Sequence, residues 1–394
     1  MRFEFATATR VLFGPGTIRE LPAFAASYGN RAFLVTSQID PTNTVVDLLN
    51  SQGLDLVREL SEAGVTLTLI PFRGEPTVDA IRGASDAARA ARIDMVLGFG
   101  GGSALDAAKA IACLLTNEGD PLDYLEVIGK GKPVGKPSAP CIAIPTTAGT
   151  GSEVTSNAVL ASPEHRVKVS LRSSLMLPRL ALVDPELTYG LPPSLTASTG
   201  MDALTQVIEP FVSVKSSPLT DALCVEGMRR GASGLPVAYR EPSNEGARQD
   251  MALTSLFGGM ALANAKLGAV HGFAATLGGM FDAPHGAICA RLLPIVMDVN
   301  VRALQDRDPG NPTLGRYATV AQILTGDPSS SVGDGVGWLE TLSRELRIPS
   351  LGTYGLKATD FANVVDKSAA ASSMKGNPIR LTANELTEIL ERAL

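Results

Sequence analysis

The stretch Asp94-Met-Val-Leu-Gly-Phe-Gly-Gly-Gly-Ser-Ala-Leu-Asp-Ala-Ala-Lys109 joins a short apolar run to a glycine-rich turn and a run of small residues with helical spacing. The glycines let the backbone approach a ligand, and a helix that begins at Ser103 offers free N–H groups and a positive dipole end to an anion. Ser103 and Asp106 have the spacing of a capping box, which predicts that helix start. The stretch differs from the dinucleotide fingerprint, because it follows a later strand and has Ser103 in place of the third glycine. A glycine turn that binds no ligand remains the alternative.

Strands and helices alternate on the N-terminal side of this stretch. Apolar runs predict buried strands, and longer periodic runs predict helices between them. The predicted elements are an edge strand within residues 1–13, the strand Arg31–Ser37, a helix over 43–63, the strand Val65–Ile70, the helix Thr77–Arg92 and the strand Asp94–Leu97. Such β-α-β-α-β alternation predicts a parallel sheet with covering helices.

The C-terminal side changes character after three more predicted strands, which are Cys141–Ile144, Ala158–Leu160 and Leu180–Val183. From about Pro185 the strand-like runs end, and stretches rich in Ala, Leu and Met with helical spacing continue to Leu394. We therefore predict a Rossmann-like α/β nucleotide-binding domain over residues 1–185 and an all-α domain over residues 186–394.

A second stretch of small polar residues, Pro145-Thr-Thr-Ala-Gly-Thr-Gly-Ser-Glu-Val-Thr-Ser-Asn157, follows the strand Cys141–Ile144. Hydroxyl groups and glycines at the carboxyl end of a strand fit ribose or phosphate binding at the crevice of an open sheet. By itself the segment could be only a polar loop. The candidate cofactor-binding residues from both stretches and the following strands are Gly100, Gly101, Gly102, Ser103, Thr146, Thr147, Thr150, Ser152, Asn157, Val159 and Lys168.

Two of the three histidines, His271 and His285, lie within residues 267–298 among small and apolar residues. An unpaired buried polar group costs about 1–3 kcal/mol, so each imidazole needs a partner. A metal ion would serve both. The alternative is a pair of hydrogen-bonded core histidines.

Charge and cysteine usage exclude several classes of protein. The net charge of the 394 residues is −6 and no Lys/Arg run exists, which excludes nucleic acid as a partner. The four cysteines (Cys113, Cys141, Cys224 and Cys289) form no CxxC pair and indicate reduced, buried thiols. The N-terminus lacks a signal-peptide core, and no apolar run is long enough to span a bilayer. We expect a soluble cytoplasmic protein.

Together, four motifs resemble the iron-containing (group III) alcohol dehydrogenase family, within the dehydroquinate synthase-like fold. They are Gly100-Gly-Gly-Ser103, Pro145-Thr-Thr-Ala-Gly-Thr-Gly-Ser152, Thr199-Gly-Met-Asp-Ala-Leu-Thr-Gln206, and Val270-His271 with Pro284-His285-Gly286. The resemblance extends over essentially the whole chain. It implies an N-terminal NAD(P) domain, a C-terminal helical domain and a metal in the cleft between them.

The family usually ligates its metal through an Asp, a His four residues later and two further His. The resemblance thus implies Asp202, His271 and His285 as ligands, with Gln206 where the second ligand, a histidine, is expected. Asp202 and Gln206 share a helix face, but an amide oxygen binds metal more weakly than imidazole. Two His and one carboxylate suit Fe²⁺ and also resemble a three-ligand Zn²⁺ site. Asp202 could instead cap or pair on a helix, and Gln206 could be an ordinary hydrogen-bonding side chain.

Two further departures concern the cofactor. Many family members carry a histidine near the nicotinamide where this chain has Ala275, so we assign no catalytic residue beyond the metal site. NAD-preferring members place an Asp at about the position of Ser37. Without that carboxylate, NADP(H) is not repelled, and we expect it to bind at least as well as NAD(H).

The resemblance implies a metal-dependent, NAD(P)-linked alcohol dehydrogenase or aldehyde/ketone reductase that works as a homo-oligomer, a dimer. Its substrate would be a small alcohol, aldehyde or ketone, and hydride would pass between the carbinol carbon and the nicotinamide. Two alternatives remain. One is a lyase or cyclase like dehydroquinate synthase, and the other is a catalytically impaired binding protein, which Gln206 and Ala275 make conceivable.

Overall fold

The computed structural model describes residues 2–37, 55–72, 74–165, 167–281 and 283–394. The chain forms two compact units, which we call the α/β unit and the helical unit. The α/β unit comprises Ala6–Thr147 and Gly151–Thr188, and the helical unit comprises Met1–Phe5, Ala148–Thr150 and Tyr189–Leu394. The units change at Thr188–Tyr189, whereas the sequence predicts a domain boundary after residue 185.

A six-stranded sheet in the order β1-β8-β5-β4-β2-β3 forms the centre of the α/β unit, and every neighbouring pair is parallel. The predicted parallel sheet is therefore confirmed, and β1 lies at an edge as expected. The strands of the unit are β1 (Val11–Phe13), β2 (Arg31–Ser37), β3 (Thr66–Phe72), β4 (Met95–Gly100), β5 (Cys141–Pro145), β6 (Asn157–Ser162), β7 (Val167–Arg172) and β8 (Leu180–Val183).

Helices cover both faces of this sheet because successive residues of a buried strand point to opposite sides. Phe33 and Val35 of β2 pack in one apolar cluster with Ile81 and Ile111, whereas Leu34 packs in another cluster with Leu21. The helices are α1 (Leu21–Tyr28), α2 (Leu56–Glu62), α3 (Val78–Ala90), α4 (Gly102–Thr116) and the short α5 (Pro121–Tyr124). Residues 43–54 of the predicted helix 43–63 lie outside the described residues.

Strands β6 and β7 form a separate antiparallel ribbon, in which Val159 lies opposite Ser170. The sequence predicted β6 but missed β7, whose alternating Val-Lys-Val-Ser-Leu-Arg reads as a charged segment. Burial alternates along β6, so Asn157 and Val159 share its less buried face, as predicted.

All regular elements described in the helical unit from Tyr189 onward are helices. They are α6 (Pro193–Val212), α7 (Pro218–Arg240), α8 (Glu245–Ala265), α9 (Ala269–Met280), α10 (His285–Arg307), α11 (Thr313–Thr325), α12 (Val332–Glu345), α13 (Phe361–Ala370) and α14 (Ala383–Ala393), with short 3-10 turns between some of them. Glycines let α6 and α7 approach closely, because a Cβ at Gly231 would lie 2.6 Å from Leu204 Cδ2. Within the described ranges, none of the helices combines the length and apolar character that a bilayer-spanning segment needs.

Candidate functional site

Three helices of the helical unit bring the predicted metal ligands together. Asp202 and Gln206 lie one turn apart on α6, His271 lies on α9, and His285 is the first residue of α10. The Asp202 Oδ1 atom is 3.3 Å from His271 Nε2 and 3.8 Å from His285 Nε2. The two imidazole rings lie with their centroids 5.4 Å apart. The residues that the sequence separates by more than eighty positions thus form one cluster.

Local chemistry at the start of α10 places His285 in this cluster. Pro284 is the N-cap residue, and its fixed φ suits the entry into a helix. Gly286 follows, and a Cβ there would clash with the backbone carbonyl of Ser198 on α6. Because only glycine allows that approach, the first turn of α10 can lie directly against α6.

Glu209, on the same helix as Asp202, fixes the orientation of His271. Glu209 Oε2 lies 2.7 Å from His271 Nδ1, and Glu209 Oε1 accepts a 2.7 Å hydrogen bond from the Val270 N–H. A carboxylate can only accept a hydrogen bond, so we assign the ring proton of His271 to Nδ1, which donates to Glu209. The His271 Nε2 atom then carries a lone pair, which faces Asp202. A carboxylate behind a ligating histidine is the usual arrangement in metal sites. Sequence reasoning missed Glu209, although it lies seven residues after Asp202 on one helix face.

The cluster attracts positive charge. Burial favours the neutral carboxyl, but His285 and His271 outweigh it and lower the pKa of Asp202 to about 2. Burial likewise opposes a charged imidazole, yet Cys289, Asp202 and Glu209 raise the pKa of His271 above its usual range. Cys289 and Asp202 do the same for the pKa of His285. A cation is favoured at this position, and a divalent metal can take the place of protons.

Two buried oxygen atoms in the cluster lack a partner. Asp202 Oδ1 and Gln206 Oε1 accept no hydrogen bond from any described residue, and each residue is about 3% exposed or less. Leaving such atoms unsatisfied costs about 1–3 kcal/mol each. Ligand atoms of Asp202, His271, His285 and Cys289 all lie within 4.8 Å of one another. Carboxylate, imidazole and thiol donors that converge in this way fit a divalent metal ion.

The predicted phosphate loop lies at the carboxyl end of β4 in the α/β unit. β4 ends at Gly100, Gly101 is the N-cap of α4, and no side chain caps that helix. The predicted helix start at Ser103, with a capping box to Asp106, is therefore wrong: α4 begins at Gly102. Asp106 instead accepts hydrogen bonds from the Val159 N–H, at 2.9 Å, and from the Ser152 hydroxyl. A helix N-terminus without a side-chain cap suits an anion.

The second predicted loop meets the first where the neighbouring strands β4 and β5 end. The Thr146 N–H donates to the Gly100 carbonyl at 3.0 Å, and a Cβ at Gly101 would lie 3.4 Å from Thr147 Oγ1. Thr150 falls in the segment Ala148–Thr150, which belongs to the helical unit. Ser37 is the last residue of β2, and its side chain lies outside what the structure describes.

Two lysines of the α/β unit make contacts that the sequence did not indicate. Lys168 was predicted to lie near the phosphates, and its Nζ pairs with Glu75 at 3.0 Å. Lys109, to which the sequence assigned no role, is fully buried on α4. Its Nζ donates at 2.9 Å to both the Ser152 carbonyl and Thr155 Oγ1, and lies 3.0 Å from Asp106. The spacing Asp106-x-x-Lys109 within an apolar helix was the signal that could have revealed this buried pair.

Known proteins match the chain over its whole length. The model of the family "Iron-containing alcohol dehydrogenase" matches residues 8–185, and that of "Fe-containing alcohol dehydrogenase family, C-terminal" matches residues 196–394. Sulfoacetaldehyde reductase of Bilophila wadsworthia is 34% identical, with 99% of each chain covered. A crystal structure of 1,3-propanediol oxidoreductase superposes with a TM-score of 0.90 at 31% identity, covering 100% of both chains. Sulfoacetaldehyde reductase from Bifidobacterium kashiwanohense in complex with NAD⁺ superposes with a TM-score of 0.84 at 28% identity, covering 100% of this chain and 99% of that one.

Proposed function

The chain belongs to the iron-containing alcohol dehydrogenase family and is an oxidoreductase acting on CH–OH groups, and we propose that Asp202, Gln206, His271 and His285 form its metal site. The family uses iron and NAD(P). The observation that carries the proposal is the buried Asp202 Oδ1, which has no hydrogen-bond partner among the described residues and lies beside two imidazole nitrogens. A divalent cation would satisfy this set of atoms at once.

Each side chain contributes something different to the site. A bound metal supplies Lewis-acid chemistry, which polarises the substrate oxygen and favours the alkoxide at neutral pH. Asp202 supplies negative charge, and Glu209 holds His271 with its Nε2 atom directed at the site. Gln206 offers a neutral amide oxygen and hydrogen-bonds Asp202, which contributes to lowering the pKa of that carboxyl. Gln206 is therefore the weakest donor of the four.

The cofactor is bound, in this proposal, by the two loops at the carboxyl ends of β4 and β5. The uncapped N-terminus of α4, at Gly101 and Gly102, supports an interaction with the pyrophosphate. The remaining residues of the proposed set are Ser37, Gly100, Ser103, Thr146, Thr147, Thr150, Ser152, Asn157, Val159 and Lys168. We propose that NADP(H) binds at least as well as NAD(H), because Ser37 carries no charge that would repel a 2′-phosphate.

The substrate is, in our proposal, a small alcohol in one direction and its aldehyde or ketone in the other. A sulfoacetaldehyde reductase and a 1,3-propanediol oxidoreductase are among the similar proteins, and both names denote short molecules with a carbonyl or hydroxyl group. Relatives named as dehydrogenases and reductases favour net hydride transfer over a lyase reaction.

We also propose that the protein is a cytoplasmic homodimer, and light scattering would measure its mass. The four free, buried cysteines suit a reducing compartment.

Metal analysis tests the site directly. After anaerobic loading with Fe²⁺ and desalting, we expect one divalent ion per chain in the wild type. Asp202→Ala, His271→Ala and His285→Ala should each lose the ion, because each removes a donor and leaves the others unpaired. His165→Ala, which changes the third histidine, is the matched control and should retain the ion. Stoichiometric metal in all three variants, with circular dichroism unchanged, would contradict the assignment.

A further inference from the structure

We propose that Cys289 is also a ligand of this metal, and that its sulfur replaces the histidine the family uses where this chain has Gln206. The inference rests on the proposed metal site and goes beyond it, since it adds a sulfur donor and changes the metal that the site favours. Cys289 lies on α10, four residues after His285, so the two side chains share a helix face. The imidazole missing from α6 is thus replaced by a thiol on α10.

The distances around Cys289 are those of a shared ion. Its Sγ atom lies 3.7 Å from His285 Nε2 and 3.9 Å from His271 Nε2. Around tetrahedral zinc, with Zn–N bonds of about 2.0 Å and Zn–S bonds of about 2.3 Å, a nitrogen and a sulfur ligand lie about 3.6 Å apart. A nitrogen and an oxygen ligand lie about 3.4 Å apart by the same geometry. The corresponding Asp202 Oδ1 to His271 Nε2 distance is 3.3 Å.

A bound divalent ion would take up Cys289 as its thiolate, because a coordinating thiol is deprotonated. Cys289 is completely buried, and Asp202 is buried beside it. With Asp202 as the one anionic donor, the direct ligands would offset only one of the two charges of a divalent ion, because the other buried carboxylate, Glu209, lies behind His271. A second anionic donor neutralises the remaining charge. Neutral Gln206 cannot do so, and its amide already donates to Asp202.

A thiolate also alters which metal binds. Soft sulfur donors select Zn²⁺ over harder ions, and Zn²⁺ exceeds Fe²⁺ in the general order of affinity. A set of one Cys, two His and one Asp is a donor set for tetrahedral zinc. We therefore infer that this chain prefers Zn²⁺, and binds Co²⁺ in the same geometry, although its family is named for iron.

Cobalt substitution reads out the sulfur ligand without an activity assay. The purified full-length protein, stripped of metal and loaded with one equivalent of Co²⁺, should show a near-ultraviolet sulfur-to-cobalt charge-transfer band together with intense visible bands of tetrahedral cobalt. Cys289→Ser should lose the charge-transfer band. Cys224→Ser changes another fully buried cysteine of the helical unit and should keep it, as should Gln206→Ala.

Zinc binding gives a second test, which begins with the wild-type protein and then compares it with Cys289→Ser. X-ray absorption of the zinc-loaded wild type should show one sulfur neighbour at about 2.3 Å. In competition between Zn²⁺ and Fe²⁺, Cys289→Ser should reduce the preference for zinc by at least about tenfold, since loss of even an outer neighbour costs about 10–100-fold in affinity.

The outcomes separate this inference from the metal site on which it rests. One bound Co²⁺ without a charge-transfer band, or a zinc spectrum with nitrogen and oxygen neighbours only, leaves the site intact and overturns the role of Cys289. Failure of the wild type to bind either ion overturns both proposals. Loss of the charge-transfer band in both Cys224→Ser and Cys289→Ser would also overturn the role of Cys289, because the band would then not be specific to that residue.

Discussion

The two loops of the α/β unit and the proposed metal centre of the helical unit differ in how their buried polar groups are satisfied. Beside the loops, the buried charge of Lys109 on α4 is satisfied by Ser152 and Thr155 of the second loop and by Asp106 of α4, all within 3.0 Å. In the metal centre, the buried Asp202 Oδ1 and Gln206 Oε1 have no hydrogen-bond partner among the described residues. The buried lysine beside the loops is therefore satisfied within the fold, whereas the proposed metal centre leaves two buried oxygen atoms available to a cation. Substitutions should therefore act through backbone shape in the loops and through charge and donor number in the metal centre.

Gly101→Val tests the first half of this comparison and has the largest expected effect. A Cβ at Gly101 meets nothing closer than 3.4 Å, and the φ of −76° suits any residue, so the fold should tolerate the change. The branched side chain would nevertheless occupy space that the pyrophosphate needs. We expect at least about a 100-fold loss of NADPH affinity, or about 2.7 kcal/mol, by fluorescence titration. The melting curve should stay close to that of the wild type.

Gly98→Ala is the control for that experiment because it affects packing instead. Its Cβ would lie 2.7 Å from the Cβ of Ala108, so helix α4 or strand β4 would have to shift. We expect a lower melting temperature for this variant. Normal NADPH affinity in Gly101→Val would show that the phosphates bind elsewhere. It would contradict the view that backbone shape determines binding in the loops.

Glu209→Gln tests the second half, with a smaller effect. The carboxylate accepts from both the His271 ring and the Val270 N–H, whereas an amide has one acceptor oxygen. One of the two donors would then face an NH₂ group, and His271 would lose its fixed orientation. We expect zinc affinity, measured by competition with a chelating dye, to fall about 10–100-fold. Glu226→Gln, at a partly exposed ion pair with Arg230, is the control and should leave zinc affinity unchanged. Unchanged affinity in Glu209→Gln would mean that packing alone orients His271.

The sequence predicted the elements whose signal is local. Apolar runs such as that of β2 indicated the strands, and their alternation with helical runs was sufficient to predict the parallel sheet. The start of α4 was placed wrongly because the true partner of Asp106 is the backbone of Val159, 53 residues away. Strand β7 was missed because half of its residues are polar and face outward.

The candidate metal site was predicted through rarity and resemblance more than through spacing. His271 and His285 are conspicuous among three histidines, and the family resemblance pointed to Asp202 and Gln206. Glu209 and Cys289 carried no such signal. Their spacings of seven and four residues from a ligand are also those of ordinary core positions on a helix, so only the folded chain shows that they point at the same atoms.

Ser37→Asp has the smallest expected effect and tests whether charge, as well as backbone shape, matters in the α/β unit. Ser37 ends β2, which pairs with β4 just before the glycine loop. A carboxylate there would repel a 2′-phosphate. Two unit charges about 4 Å apart interact by up to about 4 kcal/mol at a surface-like dielectric, and salt reduces this further. We therefore expect the ratio of NADP(H) to NAD(H) affinity to fall roughly tenfold or more, where tenfold is about 1.4 kcal/mol. Fluorescence titration of both cofactors against wild type and variant measures the ratio, with Ser37→Asn as the uncharged control. If the ratio does not change, Ser37 is not at the ribose, and the assignment of the end of β2 to the ribose is wrong.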